Sequence, residues 1–232
     1  MKDKILKVLF ALTGLLPFLS LFGKPTDPLL LPYSLFVILY FFKNRIDPLK
    51  KISIPLELKL GLLILIIGLG VESLAWANNY FAKRANPILF HPQLVYDLLI
   101  GLALYGGWAV GWFLILKKFK FTTMQVFLTQ GLFGIMIEQQ GQVFVKGLTT
   151  MPLGLLMWIY VFLAYAPIMG LSYIFLEKQF SQKNKSNSFL KYFVAIFLLV
   201  IINISFFLIW QLALDKIGII PDPKPIWTSP FW

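Results

Sequence analysis

The sequence predicts an all-α fold: a polytopic transmembrane helix bundle of seven spans. Three observations predict it. Of 232 residues, 59% are hydrophobic and only 13% charged. Mean hydropathy is +0.79. The lysines and arginines fall in short gaps between long apolar runs. A soluble domain carries roughly 25% charged and 45–50% apolar residues, so this chain lies outside that class. With no cysteine and one histidine, thiol chemistry, iron–sulfur ligation and multi-histidine metal centres are excluded. The net charge of +11 does not read as nucleic-acid binding, which needs a basic stripe on a soluble face.

A helix crosses the hydrocarbon core with roughly 20 apolar residues, within a range of about 17–25. The runs are 5–22, 29–42, 60–82, 94–116, 122–144, 152–176 and 189–213. The first follows Lys2, Lys4 and Lys7, as a signal peptide would. Cleavage requires small residues at two positions before the cut. Ser20-Leu21-Phe22-Gly23 pairs Ser20 with bulky Phe22, so an uncleaved helix is expected. The second run is short, with Pro32 near its start, where a first helical turn tolerates proline. The remaining five runs are long enough without special pleading. The bundle is one domain over 1–214, with no repeat and no soluble insertion. Residues 215–232 hold Pro221, Pro223, Pro225 and Pro230, predicting an extended tail. Ile226, Trp227, Phe231 and Trp232 should keep that tail on the outer membrane surface, because tryptophan favours the headgroup level; the alternatives are a disordered terminus and a tail folded over the outward pocket as a lid.

Summed over alternate gaps, 15 basic residues fall on one side of these spans and 6 on the other. The positive-inside rule places the larger number in the cytoplasm. The N-terminus is therefore expected inside and the C-terminus outside, in the cell (plasma or inner) membrane. Membrane lipids are the expected partners.

Ionisable side chains at membrane depth are costly and should face the interior. Glu72 falls in the third span, Asp97 near the start of the fourth and Glu138 late in the fifth. All three lie in the middle or outer part of the membrane in this topology. His91 stands in the outer loop 83–93, which is apolar at its centre and should dip back onto the bundle. At helical spacing Gly61, Gly68, Glu72, Trp76 and Asn79 share a face, as do Gln93, Asp97, Gly101, Trp108 and Gly111. Gly131, Gly134, Glu138 and Gln142 line one face of the fifth span, with Thr122, Gln125, Thr129 and Gln140 roughly opposite. A helix polar on two faces belongs at the centre of a bundle. Glycines on the carboxylate faces permit close helix approach.

These residues predict an outward-opening polar pocket. Glu72, Asp97, Glu138 and His91 are the candidate catalytic residues, and Trp76, Asn79, Gln139 and Gln142 the candidate substrate contacts. No metal or cofactor is expected. The competing reading makes the carboxylates interhelical hydrogen bonds, His91 an ordering residue in its loop and the tryptophans packing. Several membrane chemistries lack their residues. The last span has no mid-membrane lysine for a Schiff base, no intramembrane Gly-x-Ser-x-Gly appears, and no second buried aspartate accompanies Asp97. No phosphate-binding glycine loop appears either.

Three functions remain. The first is a membrane-embedded enzyme using acid–base chemistry on an amphipathic or lipid substrate near the outer leaflet, with Glu138 or Glu72 as general base or acid. The second is a proton-coupled transporter of a small solute, weakened by the lack of internal repeats. The third is a non-catalytic assembly or scaffold subunit.

Overall fold

A computed structural model describes residues 2–22, 27–46, 48–49, 51–181 and 188–232. Lys24, Lys50, Lys183 and Lys185, counted above among the basic residues, lie outside the described residues, as does Gly23 of the cleavage-site reading. Every regular element among the described residues is helical: α1 (Lys2–Thr13), α2 (Leu16–Ser20), α3 (Leu31–Phe42), α4 (Leu56–Phe81), α5 (Leu94–Lys118), α6 (Thr123–Ile137), α7 (Gln142–Thr149), α8 (Leu153–Tyr173), α9 (Glu177–Ser181) and α10 (Lys191–Ile217). Four of them, α4, α5, α8 and α10, are long and apolar enough to cross a membrane. The apolar segments Ile5–Ser20 and Leu31–Phe42 are shorter.

Two rows of helices build the bundle. In the first, α5 packs between α4 and α10; in the second, α8 packs between α3 and α6. Contacts of α4 with α8 and of α6 with α10 hold the rows face to face. Large side chains fill the middle: Trp108, Trp112, Phe121, Phe133, Ile115 and Met169 are all buried. Burial therefore concentrates on α5, α6 and α8, while α10 turns most of its surface outward.

At one end of the bundle, polar side chains tie the helix ends together. Lys43 pairs with Glu177 at 3.0 Å, and the Thr123 hydroxyl donates to the same carboxylate oxygen at 2.5 Å. The Lys191 ammonium donates to the Lys120 carbonyl at 2.7 Å and to Gln125 Oε1 at 2.9 Å. Thr122 and Gln125 form a reciprocal capping box at the start of α6, satisfying two helix-terminal N–H groups. The opposite end holds the loop 83–93, the tail beyond α10, and Asp27, which accepts the Tyr160 hydroxyl at 2.7 Å.

The fifth predicted run, 122–144, is not one helix. α6 ends at Ile137, and Gln139 (φ 49°), Gln140 (φ 59°) and Gly141 (φ 86°) follow in left-handed conformation. The apolar period is interrupted there by Glu138-Gln139-Gln140-Gly141, and three residues of opposite hand cannot carry a right-handed ladder. The chain then makes α7, which buries Val143 and Gly147 and stacks Phe144 on Trp158 of α8 at 5.6 Å. This corrects the continuous face drawn through Gly131, Gly134, Glu138 and Gln142: its last member lies beyond the turn.

Candidate functional site

Each of the three carboxylates meets a partner from another element. From α5, the Tyr105 hydroxyl donates to Glu72 of α4 at 2.8 Å. From α8, the Tyr165 hydroxyl makes a short hydrogen bond to Glu138. Glycines opposite the tyrosines make this possible. A Cβ on Gly68 would stand 2.2 Å from the Tyr105 ring, and one on Gly134 would stand 2.5 Å from Tyr165. The ring of Trp108 packs between the two tyrosines, 5.1 Å from Tyr105 and 5.7 Å from Tyr165. Two glutamate–tyrosine pairs thus face each other across one buried tryptophan.

Asp97, in the first turn of α5, is fully buried. Its Oδ1 accepts the backbone N–H of His91 at 3.0 Å. Its Oδ2 has no hydrogen-bond partner among the described residues; one turn further along α5, a Cβ on Gly101 would lie 3.9 Å from Glu72 Cγ.

Toward the lysine-rich end the cluster is sealed. Trp108 also meets Phe133 edge-on at 6.0 Å. Beneath it, Trp112 donates to Gln130 Oε1 at 2.8 Å and packs against Phe121 at 5.6 Å. All of these side chains are buried. Trp108 Nε1 and Gln130 Nε2 have no hydrogen-bond partner among the described residues.

Searches of protein-family models, curated proteins and solved structures return no match to this chain.

The remaining candidate residues divide by position. Trp76 donates from Nε1 to the Pro92 carbonyl at 2.9 Å and stacks between Tyr80 and Phe231. Asn79 is buried, donates to the Ala75 carbonyl at 2.8 Å and accepts the Ile88 N–H at 3.2 Å. Both hold the loop 83–93 onto α4. His91 is buried in that loop; Gln93 N–H reaches its Nδ1 and its Nε2 reaches the Pro221 carbonyl, each at 3.2 Å. Gln139 and Gln142 are exposed at the turn after α6. Only Glu72, Asp97 and Glu138 share one polar cluster. Among the described residues, no group of three or more His, Asp or Glu side chains is placed to hold a metal ion.

Tyr105 and Tyr165 escape the sequence reading because tyrosines in apolar helices read as packing. For Tyr105 a signal existed: Asp97, Gly101 and Tyr105 repeat every four residues on one face of α5. For Tyr165 nothing in the spacing points to Glu138, which meets it from a different helix.

Proposed function

We propose that the chain is a membrane-embedded enzyme performing acid–base chemistry on an amphipathic or lipid substrate near the outer leaflet. The observation that carries this reading is the arrangement of three carboxyl groups and two phenols over an aromatic floor. In this reading Glu72 and Asp97, on adjoining helices, hold one proton between them for the substrate, and Glu138 accepts one. Tyr105 and Tyr165 hold the two glutamates in orientation. A low-dielectric floor strengthens these interactions and bars water from the cytoplasmic side. The left-handed turn after Glu138 adds support, since left-handed non-glycine residues cluster at functional sites. Exposed Gln139 and Gln142 then stand at the rim, as substrate contacts. His91, Trp76 and Asn79 hold the roof.

The proposed topology has seven crossings, with α1–α2, α3 and α6 completing the four long helices. The end bearing Lys43, Lys120 and Lys191 is cytoplasmic and the tail outside, in the plasma or inner membrane. The basic asymmetry supports this orientation.

A proton-coupled transporter is the second reading. The unpartnered Gln130 amide favours it, because Gln130 lies between the carboxylates and Gln125 and would be a step on a path through the floor. Lipid composition and solute uptake, measured in cells carrying Glu138→Gln, separate the two. A lipid species that accumulates or disappears supports the enzyme. Lost uptake with unchanged lipids supports transport. No change in either overturns both and leaves the assembly-subunit reading.

A further inference from the structure

The tail beyond α10 is bound to the roof of the site by its backbone. The Pro230 carbonyl accepts Leu94 N–H at 3.0 Å and the Phe231 carbonyl accepts Val95 N–H at 3.2 Å. These are two of the first N–H groups of α5, which no intrahelical carbonyl can satisfy. Gln93 fastens the tail a second time: its Nε2 donates to the carbonyls of Lys224 (2.9 Å) and Ser229 (2.8 Å), and its Oε1 accepts Lys224 N–H at 3.3 Å. Ile226 is 1% exposed beneath this strap.

His91 joins the strap to the carboxylates. Its own N–H donates to Asp97 Oδ1, so the position of the loop fixes Asp97. Its ring accepts Gln93 N–H at Nδ1 and therefore donates from Nε2 to the Pro221 carbonyl. That combination requires the neutral ring. A proton added at Nδ1 would meet the Gln93 N–H donor head-on, and the hydrogen bond would be lost. The elements that meet His91 carry these ionisable groups. The Tyr96 ring meets it edge-on at 5.2 Å, Asp97 accepts its backbone N–H, and Asp222 follows Pro221 in the tail. Lys224, also on the tail, is held by Gln93 through its backbone.

We propose that His91 is a positioning residue for Asp97 and the proton-sensitive pin of a lid formed by residues 218–232. With the ring neutral, the lid is docked and the His91 N–H is held on Asp97. With the ring charged, the Gln93 contact breaks, the strap loosens from the α5 N-terminus and the carboxylate pair becomes accessible from outside. The catalytic candidacy of His91 gives way to this role. The proposal rests on the acid–base reading for what the lid covers, but its test does not.

The test is hydrogen exchange of the full chain in lipid nanodiscs at pH 7.5 and pH 5.0, each corrected for intrinsic exchange. The reporters are the amides of Leu94, Val95 and Lys224, whose protection depends on docking. Wild type should lose protection by about tenfold or more on acidification, across the pH range in which histidine changes charge. His91→Gln keeps a donor for Pro221 without a titratable ring, so the pH dependence should flatten. His91→Ala should be open at both pH values. Wild-type protection that is the same at both pH values would overturn the proposal, as would a His91→Gln variant that keeps the wild-type response. Glu138→Gln should leave exchange unchanged at both pH values, so loss of the acid–base reading and loss of the lid show up in separate experiments.

Discussion

At Gly134 only a hydrogen atom separates the α6 backbone from the Tyr165 ring, and Gly68 gives Tyr105 the same room on α4. Adding a methyl group at either place pushes a phenol away from its glutamate. Gly134→Ala and Gly68→Ala should each cost about 1–3 kcal/mol by overpacking, read as a lower unfolding midpoint in detergent. The left-handed turn gives the opposite expectation. Gln140 sits at φ 59°, where a side chain costs roughly 1–2 kcal/mol that glycine avoids. Gln140→Gly should therefore raise stability in the same assay; a fall would mean that the glutamine side chain holds the turn. At this scale the acidic half of the site was legible, because a carboxylate in an apolar run is conspicuous at once. The phenolic half was not, because tyrosine is equally at home as packing.

Between elements, the polar tie of α3, α6 and α9 has a definite pH response. Partial burial of Glu177 pushes its carboxyl up, but the Thr123 hydroxyl and the hydrogen bond and charge of Lys43 outweigh burial. The net result lies below the ordinary carboxylate value. A carboxyl held low in the fold stabilises it above the unfolded-state value of 4.5. That stability is lost as pH falls through the folded-state value. Acid unfolding monitored by circular dichroism should show this loss below about pH 4.5 in wild type. Glu177→Gln should be less stable at neutral pH and lack that acid-dependent component. Most helix positions follow from apolar periodicity, because 20-odd apolar residues leave no alternative to a helix. The end of α6 does not follow from it. Gln139 and Gln140 are ordinary helix formers, and the break in the apolar run at 138–141 does not by itself say that they turn left-handed. Exposed glutamines at that turn, rather than inward ones, were beyond what period alone can show.

For the whole molecule, orientation and chemistry can be checked separately. Cysteine at Ser188, beside the start of α10, should resist an impermeant thiol reagent in intact cells, and cysteine at Thr228 in the tail should react. The reverse labelling would invert the topology drawn from the 15-to-6 basic asymmetry. That asymmetry was countable from the chain, whereas the docking of the tail on Gln93 and His91 was not, since those contacts join positions about 130 residues apart. The proposed chemistry needs Glu72 and Asp97 to hold one proton between them at neutral pH. Infrared spectroscopy of the lipid-embedded protein at neutral pH reads it most directly. A carbonyl band from a protonated carboxylic acid is expected, lost in both Glu72→Gln and Asp97→Asn and kept in Glu138→Gln. Absence of the band in wild type, or its survival in both Glu72→Gln and Asp97→Asn, would rule out the shared proton.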